Sequence, residues 1–173
     1  MAKMATKTAR TEAALTQGKV DLKTFVKDLM SHVDPERLDK AKKMLRADRF
    51  QLFSEVTDEQ VDGVVKSQTD ADLFYACRLS ANGGFSCCTQ NLNVCGGLRG
   101  ALCKHLLVLI IGLTQGGKLD ATQAKEWAKA SRKQKPVLDK DAMSACFIRY
   151  KGAQAGEVDW RPTETTPEDY LSI

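Results

Sequence analysis

Phe85-Ser86-Cys87-Cys88-Thr89-Gln90-Asn91-Leu92-Asn93-Val94-Cys95-Gly96-Gly97-Leu98-Arg99-Gly100-Ala101-Leu102-Cys103-Lys104-His105 is the stretch on which the reading of this chain turns. Four cysteines and a histidine fall within the nineteen residues from Cys87 to His105. The apolar run Leu106-Leu107-Val108-Leu109-Ile110-Ile111 follows at once. Three thiolates and one imidazole make a complete tetrahedral set for zinc, and a closed set of four leaves no position for water or substrate. The cluster therefore points to one structural zinc ion held by residues among Cys87, Cys88, Cys95, Cys103 and His105. It points away from a zinc enzyme.

Two plainer readings compete. Isolated cysteines are often small core hydrophobes, but four so close together, interleaved with Gly96, Gly97 and Gly100, exceed what core filling needs. A disulfide framework suits small secreted chains. Met1 to Gln17 has no apolar signal segment, and 173 residues are enough to build a core without staples. A reducing, cytoplasmic setting is expected, where clustered cysteines favour metal.

At this point the sequence resembles a SWIM zinc finger. That pattern is Cys-x-Cys, a spacer, then Cys-x-His, laid on a β-hairpin followed by a helix. Leu102-Cys103-Lys104-His105-Leu106-Leu107 matches the second half. Val56 to Ser67 and Phe74-Tyr75-Ala76-Cys77-Arg78-Leu79 resemble the strands that precede it. The resemblance covers residues 50 to 113. The first half departs, because Phe85 stands where the first ligand is expected and Cys95 or Cys88 must supply the missing sulfur. Adjacent strand residues point to opposite faces, so the favoured set is Cys103, His105, Cys95 and one of Cys87 or Cys88. The resemblance implies a domain that binds DNA or proteins, in a family whose members are mostly attached to larger enzymes such as helicase-like ATPases or transposases.

The remaining sequence sets the frame. Residues 1–17 are polar and aperiodic and read as a mobile arm. Within 18–49, Leu22, Phe25, Val26, Leu29, Met30 and Val33 recur at helical spacing behind a capping Asp21. Asp34-Pro35 opens a second helix with Leu38, Ala41 and Leu45 on its apolar face. Across 50–117 the period changes to strands at Phe50–Phe53, Val61–Val65, Leu73–Leu79 and Phe85–Cys88. Ala81 to Gly84 forms a hairpin turn, and a helix over 102–115 stops at Gly116-Gly117. Residues 118–151 add helices opened by Asp120 and Asp139. From Gly152 to Ile173 two prolines and an acidic excess read as an extended tail. The expected class is α+β: N-terminal helices, a small antiparallel sheet carrying the zinc site, then C-terminal helices and the tail. Cys77 and Cys146 are expected in the core, and His32 as a cation at a helix C-terminus.

Charge and composition bound the function. Residues 1–49 carry twelve Lys/Arg against seven Asp/Glu, a basic front. Lys40, Lys42, Lys43, Arg46 and Arg49, with Arg99 and Lys104 near the metal, are the residues for phosphate contact if nucleic acid is bound. The apolar run ending at Leu113 is far short of the roughly twenty residues of a membrane span. No nucleophile–base pair or phosphate loop is visible. The expectation is a non-enzymatic, zinc-stabilised interaction module with a protein partner and no small-molecule substrate. DNA binding is the alternative.

Overall fold

Four short strands, covered on both faces, organise the molecule. The computed structural model describes residues 20–47, 50–98 and 101–163, with side chains through residue 154. Strands β1 (Gln51–Val56), β2 (Gln60–Lys66), β3 (Phe74–Ser80) and β4 (Phe85–Thr89) form one antiparallel sheet in the order β1-β2-β3-β4. Before it come helices α1 (Leu22–Met30) and α2 (Pro35–Ala47). After it come α3 (Lys104–Gln115), α4 (Ala121–Ser131) and α5 (Lys140–Thr163). The fold is α+β.

Successive side chains of a strand point to opposite faces, and here each face has its own core. Val61, Val65, Cys77, Leu79, Phe85 and Cys87 join the larger core with α1 to α4. Val64, Ala76 and Cys88 face the other way, onto Met143, Cys146, Phe147 and Tyr150 of α5. The sheet thus lies between a four-helix layer and a single helix.

Helix α3 is buried all along the run from His105 to Ile111, because it packs on the sheet and also against α1, α2 and α4. A helix that is apolar on every side belongs in that position. It approaches the sheet at Gly63, where any Cβ would run into Leu109 and sit 2.8 Å from the Phe53 carbonyl oxygen. Burying Leu106, Leu107, Leu109 and Ile110 completely stabilises the fold by about 1.5–3 kcal/mol per side chain.

Local signals place the helix ends. The Asp21 carboxylate accepts from the Thr24 backbone N–H at 2.8 Å, and Asp139 does the same for Ala142 at 3.0 Å. Asp120 occupies the N-cap of α4 without a side-chain hydrogen bond. In α2, Met44 is buried on the apolar face beside Leu38 and Ala41, while Leu45 is only partly covered.

An extended tail was expected from residue 152, but α5 continues to Thr163. Gly152 faces open space, so it costs the helix only about 1 kcal/mol relative to alanine. Ala153, Gln154 and Ala155 carry the helix on, and the first proline is Pro162. Residues 164–173 and the N-terminal arm over 1–17 lie outside the described residues. Among the described residues no helix is long and apolar enough to cross a membrane.

On the outer face, Asp62 is 3 % exposed and ties the layers together. Arg78 of β3 donates to it at 2.6 and 2.9 Å, and Arg149 of α5 at 3.2 Å. Arg149 also donates to Glu55 at 2.7 Å.

Candidate metal centre

Three chain reversals bring the donor residues together. The first is the β3–β4 hairpin, closed by Ser80 N–H to the Gly84 carbonyl at 2.8 Å and turned by Gly83 at φ +89°. A positive φ of that size is open to glycine at no steric cost. The hairpin sets Cys77 opposite Cys87. The second follows Thr89. The Leu92 N–H reaches the Thr89 carbonyl at 2.8 Å, the Asn93 carbonyl accepts from Thr89 N–H at 2.9 Å, and Leu92 itself has φ 61°. The chain doubles back along β4, and Cys95 N–H donates to the Cys87 carbonyl at 2.9 Å.

The third reversal runs through Gly96 and Gly97 to Cys103, the N-cap of α3. A Cβ at Gly97 would lie 3.1 Å from the Cys103 Cβ, so a side chain there would press on a donor residue. His105 follows in the first turn of α3. The Arg37 guanidinium of α2 steadies this entry by donating to the Leu102 carbonyl at 3.2 Å.

The result is a single cluster. The Sγ atoms of Cys87, Cys95 and Cys103 and a ring nitrogen of His105 all lie within 4.8 Å of one another. His105 Nδ1 is 3.5 Å from Cys95 Sγ and 4.0 Å from Cys87 Sγ. Bonds of about 2.3 Å to sulfur and about 2.0 Å to nitrogen at tetrahedral angles put such a pair roughly 3.5 Å apart. All four residues are buried. The arrangement could hold one metal ion.

Electrostatics favour a cation here. Burial pushes the Cys87 and Cys103 thiols well above their ordinary range. Cys95 is held far below it, mainly by S–H donors from Cys103 and then Cys87. Three thiolates side by side in this interior would require a bound positive ion, and its binding would release protons.

The pleat settles what the sequence left open between Cys87 and Cys88. Cys87 points into the cluster. Cys88, one residue on, faces α5 with Ala76 and Met143, and burial pushes its thiol to about 11. Cys88 is therefore not a donor of this set, which corrects its place among the candidates. Cys77 and Cys146 are fully buried core residues, as expected. His32 departs from the cation expected of it. It lies in the turn after α1, where burial and then the Arg132 charge lower its pKa.

Two features around the cluster were not legible in advance. Tyr75 of β3 stacks on the His105 ring, with centroids 3.8 Å apart. Burial, followed by the negative charge of the cluster sulfurs, raises the Tyr75 pKa. The Sγ atom of Cys77 lies 3.6 Å from that of Cys87. Both follow from strand register. A cavity of about 410 Å³ opens beside the cluster, lined by Arg37, Lys40, Tyr75, Cys95 and Lys104 among others.

The basic residues of α2 form a mixed surface. Lys40 pairs with Glu36 at 2.8 Å and Lys43 with Asp39 at 3.2 Å, each one helical turn away. Lys42 is half-buried and Arg46 exposed on the same helix. Arg49 and Arg99 lie outside the described residues. Lys104 donates to the Gln68 side chain at 3.3 Å.

No protein-family model matches the chain, and neither a curated protein nor a solved structure matches it.

Proposed function

We propose that this chain is a non-enzymatic zinc-binding interaction module. Cys87, Cys95, Cys103 and His105 hold one structural zinc, and the stabilised surface serves protein–protein contacts in a larger assembly. The observation that carries this reading is the convergence of four buried soft donors from a strand, a loop and a helix start. Three thiolates with one imidazole suit zinc better than the harder divalent cations, which prefer oxygen. When bound, zinc supplies a crosslink between the β4 segment and the start of α3. With all four donors drawn from the protein, none is left to activate a water or a substrate, so the site acts through stability and shape.

A SWIM-type assignment is supported by the same residues. The β3–β4 hairpin leads through the cluster into α3, and Cys103-Lys104-His105 opens that helix. In this assignment Cys95 replaces the sulfur that Phe85 cannot supply. A cytoplasmic location accords with six free cysteines, all buried, since thiolate metal sites persist where thiols stay reduced.

Elemental analysis of the full chain, purified without added metal, tests the site. A single zinc per chain is expected, lost in Cys103→Ser and in His105→Ala. A folded chain that carries no zinc overturns the proposal. DNA binding through Lys40, Lys42, Lys43, Arg46 and Arg49 is the second reading. Its support is the placement of Lys40, Arg37 and Lys104 around the cavity beside the cluster. It is weakened by the partners that Lys40 and Lys43 have on their own helix. A mobility shift at low salt, abolished when Lys40, Lys42, Lys43 and Arg46 are all changed to Gln, would favour it.

A further inference from the structure

Cys77 is a further buried sulfur, beside the donor cluster. It sits directly across from Cys87 in the β3–β4 ladder. The backbone shows which kind of pair this is. The Cys87 carbonyl accepts from Cys95 N–H and the Phe85 carbonyl from Val137 N–H, both on the side of β4 away from β3. Residues 85 and 87 therefore occupy the non-hydrogen-bonded positions of the ladder. At such positions facing Cα atoms are about 4.5 Å apart and side chains approach most closely, a separation within the range that disulfides span. The two sulfurs are already 3.6 Å apart, and both residues are wholly buried.

We infer that Cys77 and Cys87 form a reversible cross-strand disulfide that removes one ligand from the metal site, making the centre a peroxide-responsive switch. The inference rests on the metal reading above, because the bound ion keeps Cys87 committed as a thiolate donor. Oxidant access is through the cavity of about 410 Å³ that Cys95 lines. Cys95 is 6 % exposed, while Cys77, Cys87 and Cys103 are 0 % exposed. Hydrogen peroxide oxidises the Cys95 sulfur, breaking the O–O bond to leave a sulfenic acid and hydroxide. The neighbouring Cys87 sulfur, within 4.8 Å of the Cys95 sulfur, attacks it. An S–S bond forms and the oxygen departs as water. Cys77 then attacks Cys87, and Cys95 leaves as a thiolate. Overall two sulfurs lose two electrons, one peroxide becomes two waters, and protons come from the Cys77 thiol and from solvent. Cys87 is then bonded to Cys77 and can no longer hold metal, and a thiol reductant restores the site.

The test uses the full chain with its zinc content measured first. Equimolar hydrogen peroxide is added, released zinc is followed with a chromophoric chelator, and disulfides are mapped by peptide mass spectrometry after free thiols are blocked. The expected result is zinc release in step with a Cys77–Cys87 disulfide, both reversed by dithiothreitol. Cys77→Ala is expected to hold the same zinc before peroxide and, after it, to stop at a Cys87–Cys95 disulfide, with the Cys77–Cys87 step lost. Absence of zinc before peroxide overturns the metal reading and with it the switch. Zinc release with Cys77 recovered as a free thiol overturns the cross-strand step alone. The wild-type disulfide map decides this even if the Cys77→Ala chain does not fold.

Discussion

Tyr75 lies flat on the imidazole of His105, with ring centroids 3.8 Å apart and planes 16° from parallel. The strand that carries Tyr75 contributes no donor to the cluster, yet it fixes the orientation of the one nitrogen donor. Groups that orient a metal ligand commonly change affinity on the order of 10-fold or more when removed. Tyr75→Ala should therefore weaken zinc binding on the order of 10-fold in a chelator competition. Tyr75→Phe keeps the stacked ring and should bind like the wild type. Equal affinity in all three would make the stack plain packing.

The two adjacent cysteines of β4 should behave oppositely. Cys87→Ser removes a donor from the cluster, so the zinc content should collapse and unfolding should lose cooperativity. Cys88→Ala changes only the face packed on α5, and it should keep the full complement of metal. Its cost should appear in the melting temperature alone. Metal analysis of the two purified variants side by side separates these outcomes, and zinc loss in Cys88→Ala would contradict the assignment.

Alkaline pH should destabilise the fold through thiols outside the metal cluster. Burial pushes Cys88 to about 11 and Cys146 to about 12, from an ordinary value of 9.0. Between those values the native chain keeps protons that the unfolded chain has lost, so the stability is full below the ordinary value and falls as pH rises through the window. Denaturant unfolding measured at rising pH should show this decline. A Cys88→Ala, Cys146→Ala double variant should show a flatter one.

Asp62 and Arg149 should differ in worth although they touch each other. Asp62 is 3 % exposed in its side chain and Arg149 37 %. Asp62→Ala strands the Arg78 charge, whose side chain is only 20 % exposed, while Arg149 keeps Glu55, and should cost about 3 kcal/mol in equilibrium unfolding. Arg149→Ala removes a half-exposed partner while Arg78 still holds Asp62, and should cost no more than about 1 kcal/mol. Comparable losses in both would show that α5 depends on Arg149 for its attachment.

The sequence by itself determined the order of elements and the presence of a donor cluster. Local chemistry suffices for both. Asp21, Asp34-Pro35 and Asp139 mark helix starts through side-chain or backbone geometry that acts within a few residues. The change of period near Phe50 announces strands. Cys103 and His105 are two residues apart at a helix start, so their convergence needs no distant contact. What only the tertiary structure decided depends on register and on which face is covered. The pleat sends Cys87 to the cluster and Cys88 to α5, and a one-residue slip would exchange them. The ladder sets Cys77 against Cys87 and lays Tyr75 over His105, across separations in the chain that no periodicity reports. The end of α5 is likewise set by tertiary anchoring. The prolines and acidic residues after Gly152 read as an extended tail, but Gly152 faces open space within a helix already anchored through Met143, Cys146, Phe147 and Tyr150, and the helix runs on to Thr163.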